Sequence, residues 1–586
     1  MEWTARIGVA IAAALPACAG SQSVAVDAAT GRDVASHIED VAGSPDAPEA
    51  VDVGAASGEL LAALPRQSST AQGRFMTHDR CEFCHTQDMG VLSDSAGRDV
   101  SPPTLWRGSM MAMSGRDPYW LAALEHELSA QPAARATIER TCLRCHAPAG
   151  SVASEDLGAR LGFDDIARGD SAAAQLAREG VTCTACHQIT PTGLGTAQSF
   201  TGGFVIDDAR RIYGPHASPF TMPMRNMVNY TPTQSSHMTT SALCASCHTV
   251  ITRALDARGE ATGPEFPEQV PYLEWRNSDF VAEGAPGPAA TTCQGCHMPT
   301  RDASGAEIRT ALSVRPGMLG ARSPIGQHGF AGANAYMLSL LAGESTWTGA
   351  ASSPDELLAG ASRAESMLRR AATLSLDAPR REGDALTFAV RVVNTSGHRF
   401  PTAYPSRRAW LRVRVLDAAG AARFESGAVD AQGRLVTADG RSLETEAVRP
   451  HLRELTRDDQ VQVYETAMAD ATGAVTHVLL RATRFVKDNR LLPRGWRADH
   501  PDARMTSPAG VEGDDDFTAG GDLVRVRVQT AGWTPARVEV ELLFQSVPPG
   551  AVRAVGDGPA AARLRAMTAR TPPTPRVVAS TSATVP

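Results

Sequence analysis

Lysine is almost missing from this chain. Lys487 stands alone among 56 basic residues, so any chemistry that needs an amine side chain has one candidate. The formal net charge is -8, and without a basic excess there is no electrostatic reason to expect nucleic-acid binding. Long apolar runs are missing too: past the first residues, no segment is long enough to cross a bilayer. At 586 residues the chain exceeds what one hydrophobic core holds, which implies several domains.

The first residues, MEWTARIGVAIAAALPAC, place Arg6 ahead of an apolar run from Ile7 to Leu15. That run is too short to span a membrane and reads as the apolar region of an export signal. Leu15, Pro16, Ala17 and Cys18 resemble a bacterial lipobox, which predicts lipidation at Cys18 and a signal over residues 1–18. Pro16 is unusual there. The alternative is ordinary cleavage after Ala19, with Ala17 and Ala19 as the small-residue pair. Either way the protein is expected to be exported, to the periplasm or outer membrane.

Residues 19–66 are rich in Ala, Ser, Gly and Asp without sustained periodicity, which predicts a flexible linker. All other cysteines fall within residues 67–345, among short helical stretches and Gly/Pro-rich connections. Over residues 346–379 a connecting helix is expected, because Ser353, Pro354, Asp355 and Glu356 make a capping box with proline at the first helical position. From 380 to 549 the apolar period becomes two, as in Leu386, Phe388 and Val390 or Val538, Val540 and Leu542. Alternation between turn-rich loops predicts an antiparallel β-sandwich. Residues 550–586 are rich in Thr and Pro and are expected to be disordered. The fold class is thus multidomain: a mostly α and irregular domain followed by a β-sandwich.

Setting Cys18 aside, ten of the eleven cysteines remain, and they form CEFCH (Cys81, Cys84), CLRCH (Cys142, Cys145), CTACH (Cys183, Cys186), CASCH (Cys244, Cys247) and CQGCH (Cys293, Cys296). None is left over. CxxCH is the attachment signature of c-type haem. Two thiols one helical turn apart can each bond a haem vinyl group, and the imidazole that follows meets the iron. Disulfides or zinc sites would also use paired cysteines, but neither requires histidine after every second one. Five c-type haems are therefore expected, with His85, His146, His187, His248 and His297 as proximal ligands.

Residues 67–345 hold ten histidines, so five remain: His78, His126, His216, His237 and His328. One per iron suggests bis-histidine ligation throughout. His78 has a rival in His398, within the turn NTSGHRFPT, where Gly397 and Pro401 could hold a loop against the haem region. An isolated histidine is more often a surface or hydrogen-bonded residue; five crowded haems favour ligation. Met298 follows its own proximal histidine too closely to reach the opposite face, and Met76, Met89, Met110 and Met238 suit packing.

With these motifs the chain resembles the bacterial multihaem c-type cytochromes that include the tetrahaem electron acceptor of hydroxylamine oxidoreductase. YGPHASPF, SSHMTTSALCASCHTV and FPEQVPYLEW look like a longer form of that group, with a β-rich domain bearing GHRFPTAYPSRRAWLRV and KDNRLLPRGW. The resemblance covers about residues 75 to 545. It implies closely packed haems, distal ligands at His126, His216, His237 and His328, and respiratory electron transfer between redox partner proteins. Relatives also include reductases of small nitrogen and sulfur oxyanions, so an enzyme with one open haem is the rival reading. The CxxCK motif of nitrite reductases is absent, and the sole lysine is far from any CxxC. A β-sandwich that docks a redox partner would fit electron transfer equally.

Overall fold

The computed structural model describes residues 59–317 and 319–586, so Cys18 and most of the expected linker lie outside the described residues. Helices and short two-stranded sheets make up the cysteine-bearing region, while larger sheets follow it. No helix among the described residues is long and apolar enough to cross a membrane.

The helix Pro118–Ala130 starts where its sequence says it should. Pro118 occupies the first turn, where a missing N–H costs nothing, and the Asp117 carboxylate accepts from the N–H groups of Tyr119 and Trp120. It packs with the helix Arg135–His146, whose last residues are the second CxxCH motif, around a core that includes Leu121, Leu124, Ile138 and Leu143. The helix Pro354–Leu368 opens on the expected capping box of Ser353 and Glu356. Its Leu357 and Ala361 enter the same core.

Beyond it run β1 (Ala372–Leu376), β2 (Ala385–Asn394), β3 (Arg408–Asp417), β4 (Gly521–Gln529), β5 (Pro535–Gln545) and β6 (Arg576–Thr584). One sheet pairs β1, β2 and β4 antiparallel, in that order; the other pairs β3, β5 and β6 antiparallel. Alternate residues point inward from both. Leu386, Phe388 and Val390 of β2 and Val524 and Val526 of β4 join Leu411 and Val413 of β3 and Val538 and Val540 of β5 in one buried cluster. Period-two patterning thus serves two sheets that share one core.

Two expectations are corrected. Residues 550–586 are ordered: a helix runs from Pro559 to Arg570, and β6 pairs with β5 over Arg576 to Thr584. The cause is amphipathicity. Ala560, Ala561, Leu564 and Met567 are buried against the core around the helix Pro118–Ala130, and the Thr/Ser-rich strand closes the open edge of β5. At the other end, Leu61 and Leu64 join that core, and the Leu61 N–H bonds the Pro559 carbonyl at 2.9 Å, so residues 59–66 are not linker.

Leu564 is fully buried. Leu564→Ala should cost about 2–5 kcal/mol, the usual result of truncating a core leucine, seen as a lower denaturation midpoint. A negligible change would mean that the 559–570 helix is peripheral.

Candidate metal centres

Each CxxCH motif closes on a helical turn. The N–H of His85 bonds the Cys81 carbonyl at 3.0 Å, that of His187 bonds Cys183 at 2.9 Å, and that of His248 bonds Cys244 at 2.9 Å. This i to i+4 bond places the first thiol and the imidazole on one face.

The imidazoles are oriented from behind. Nδ1 of His85 donates to the Leu312 carbonyl at 2.6 Å, His146 to Ser114 at 3.2 Å, His187 to Tyr213 at 2.7 Å and His297 to Ala331 at 2.6 Å. A carbonyl can only accept, so Nδ1 carries the proton and Nε2 keeps its lone pair. That is the tautomer a metal ligand needs, fixed by a second partner as such ligands usually are. Burial lowers the pKa of His146 and His297 to about 4, which keeps both rings neutral at physiological pH. Yet neither is sealed from water.

Two of the five have a second histidine opposite. His187 and His328 lie with ring centroids 6.1 Å apart and planes 16° from parallel; His297 and His398 lie 6.3 Å apart at 14°. Such spacing is too wide for ring contact. It matches what two metal–nitrogen bonds of about 2 Å each, plus the ring radii, would require of one shared ion. The second members are pre-set alike: Nδ1 of His328 donates to Gly326 at 2.9 Å and Nδ1 of His398 to Arg399 at 2.9 Å. The chain's own donor set therefore fits haem iron at these positions.

The other expected distal histidines stand differently. His78 gives Nδ1 to the Glu179 carboxylate at 2.5 Å, the second-partner arrangement again. Burial alone would lower its pKa, but the Glu179 bond and charge outweigh that and raise it. His237 uses both nitrogens, with Ser235 at 2.6 Å and the Ile189 carbonyl at 2.9 Å, and so has no free lone pair where it lies. His126 sits beside Gly556 near His477 and Arg481, with no motif histidine among the groups acting on it. His216 lies near Arg322, whose guanidinium holds the Ala217 and Ser218 carbonyls. The structure thus sets His328 and His398 opposite motif histidines, brings His237 near His187 with both ring nitrogens engaged, and leaves His126 and His216 with no motif histidine among the groups acting on them.

Cysteines of different motifs also meet. The Cys81 thiol touches Cys183, Cys145 touches Cys247, and Cys244 touches Cys293, while Cys247 also lies near Cys186. In space the motifs therefore run first, third, fourth, with the second and fifth both beside the fourth.

Sequence reasoning missed a polar cluster next to the second and fourth motifs. The ring of Tyr119 meets that of Tyr404 edge-on at 5.7 Å, and its hydroxyl bonds Tyr404 and Ser406. Arg407 lies beside Tyr119, His248 and His398. Burial raises the pKa of Glu127 to about 7 and of Glu268 to about 8, and both lie near Cys142. Tyr404 and Arg407 stand in the quoted GHRFPTAYPSRRAW segment, but nothing in its spacing says that they face the motifs.

Lys487 is structural: its ammonium bonds the Val463 carbonyl at 3.0 Å and Glu465 at 3.1 Å. A second grouping of His451, Asp514 and Asp522 has the residue types of a metal site. Its hydrogen bonds close it. Nδ1 of His451 receives the amide groups of Gln462 at 2.8 Å and Asn489 at 3.0 Å, so Nε2 holds the proton that reaches Asp514 at 3.0 Å.

The Glu268 carboxyl yields a pH prediction. Because its pKa rises from 4.5 to about 8 on folding, the folded chain keeps a proton that the unfolded chain loses, and stability falls as pH rises through that window. Glu268→Gln should thus gain on the parent between pH 5 and pH 8, by on the order of 1–3 kcal/mol at the alkaline end. Denaturation midpoints at both pH values test this, and a pH-independent difference would contradict it.

No family model and no curated protein matches the chain. Among solved structures, it is similar to a penta-haem cytochrome c552 from Thermochromatium tepidum, with a TM-score of 0.50 and 18% identity over 88% of this chain and 100% of that one. At that identity the likeness is one of fold alone.

Proposed function

We propose that this chain binds five c-type haems covalently and transfers electrons between redox partner proteins outside the cytoplasm. The observation that carries this reading is the set of five CxxCH motifs, two of whose histidines face a second histidine at 6.1 and 6.3 Å. Haem iron held between two imidazoles supplies a one-electron couple with no coordination position left for substrate.

The chain's part is to hold and to space. Thioether-forming cysteines of neighbouring motifs touch, which supports a continuous path through the first, third and fourth sites that forks to the second and fifth. Nδ1-to-carbonyl bonds hold the rings with Nε2 free to meet a metal. Surrounding apolar side chains limit water at each centre and so shape its potential. The two sheets that share a core are read as a β-sandwich whose turn supplies His398. Cys18 would tether the protein at the membrane through acyl chains.

This polar cluster favours a second reading. Arg407, Tyr119, Tyr404 and the protonated Glu268 offer a cation, hydroxyl donors and a proton source near His248 and Cys142. Such a lining suits reduction of a small nitrogen or sulfur oxyanion at an open site.

Intact-mass measurement of the mature protein should show five haem additions, and four or fewer would refute the count. Electron paramagnetic resonance decides the rest. Low-spin signals from all five irons support electron transfer alone, whereas a substantial high-spin ferric signal that responds to nitrite or hydroxylamine supports the second reading. Replacing His328 and His398 separately by Met should raise the potential of a different haem in each case; no change in either would remove them as ligands.

Cys18→Ser should release the protein from membranes into the soluble fraction. Wild-type protein that starts at Gly20 and is freely soluble would replace lipidation with ordinary signal cleavage.

A further inference from the structure

Two acidic and two arginine side chains meet where the sheets touch the cysteine-bearing region, directly behind His398. Glu274, in the short helix Pro271–Arg276, is fully buried. Its Oε2 accepts the Thr402 hydroxyl at 2.5 Å and the Arg399 backbone N–H at 3.2 Å, and its Oε1 lies 3.4 Å from Arg490 Nη1. Arg490 grips Asp488 with two bonds of 2.8 Å each. The Arg399 guanidinium reaches the same Asp488 carboxylate and the Thr506 carbonyl. Two cations face two anions, and the group closes on itself.

The turn that carries His398 is held to this group and to the helix beside it. Asn394 donates its amide to the His398 carbonyl at 2.8 Å and to Leu491 at 3.0 Å. A Cβ on Gly397 would come within 3.2 Å of both Phe280 and Trp275, tighter than ordinary contact, so glycine lets the turn lie close without displacing either ring. Asn277 exchanges two hydrogen bonds with the Arg497 backbone, at 2.9 and 3.0 Å.

A buried ion network is weak evidence for stability, because apolar side chains of equal volume often do as well; its better-attested use is to fix register. Register is what a ligand supplied from another region requires. Asp488, Arg399 and Arg490 all belong to the sheet region, and only Glu274 comes from the cysteine-bearing side. Its two Oε2 bonds fall on residues one and four places after His398, so it acts on the loop and not on the ring. We infer that Glu274 is a positioning residue that holds His398 opposite His297. The inference rests on the reading of those two histidines as an axial pair.

Three variants of the full-length haem-loaded protein test it: Glu274→Ala, Glu274→Gln and His398→Ala. Each is first checked for five haems by mass. Glu274→Ala should turn one haem partly from low-spin to high-spin and leave the other four unchanged, and His398→Ala should turn the same haem completely. Glu274→Gln keeps an oxygen for the Arg399 N–H and the Thr402 hydroxyl, so that haem stays low-spin; with a negative charge removed nearby, its midpoint potential alone should rise.

Wild-type spin states and five unshifted potentials in Glu274→Ala, beside a lost low-spin signal in His398→Ala, would overturn the positioning role while leaving the axial pair intact. If His398→Ala also leaves every haem low-spin, the axial pair itself falls and the inference with it. Should Glu274→Ala not accumulate, Glu274→Gln decides: no rise at that one haem overturns the role.

Discussion

The bond from histidine Nδ1 to a backbone carbonyl is the constraint from which much of this structure follows. CxxCH sets where an imidazole begins but not which way it turns or which nitrogen carries the proton. Those are set by carbonyls far away in sequence: Leu312 for His85, Tyr213 for His187 and Ala331 for His297. Long connections rich in glycine and proline, which bury little by themselves, are the means of bringing those carbonyls round. Leu312 and Ala331 lie in irregular backbone, where no ladder consumes the carbonyl, whereas Tyr213 lies in the short strand Arg211–Gly214.

The sheet region takes part in the same arrangement. Its inner faces are an ordinary apolar core, and its functional contact is one turn at the end of β2. Asn394, the last residue of that strand, is buried and gives its amide to three carbonyls, including that of His398. The turn's shape is thereby tied to the sheet, whereas its placement depends on the group around Glu274. Rigid element, pinned turn and buried charges form a series, each step setting fewer degrees of freedom than the last.

What could be read from the sequence divides along physical lines. The five motifs were plain because their chemistry demands fixed local spacing. The capping box at Ser353 and the alternation in β2 and β5 were plain for the same reason, since each depends on neighbours a few residues away. Counting histidines suggested one spare per iron, but His237 spends both ring nitrogens on hydrogen bonds and His126 lies beside Gly556, and neither fact is local. The threonines and prolines after 549 point to disorder, while the order of that stretch comes from four small or apolar residues that meet a helix more than 400 positions earlier. Glu274 shows the same limit. Nothing around FPEQVPYLEW marks Glu274, the second of its two glutamates, as the partner of two arginines over 100 residues later.

The pairing of residues 559–584 with both regions bears on the order of events during folding. The helix Pro559–Arg570 covers the core around Pro118–Ala130, and the strand Arg576–Thr584 completes the sheet built on β5. Neither region can reach its final packing until those residues have been synthesised. Such sequence-distant closure is slow, because the loop entropy must be met before the contacts form. During that interval the motif cysteines, nine of which are partly enclosed in the finished fold, would stay open to attachment of the proposed haems. On that reading the late-closing terminus would act as a timer: it lengthens the period in which attachment can finish, and then shuts it.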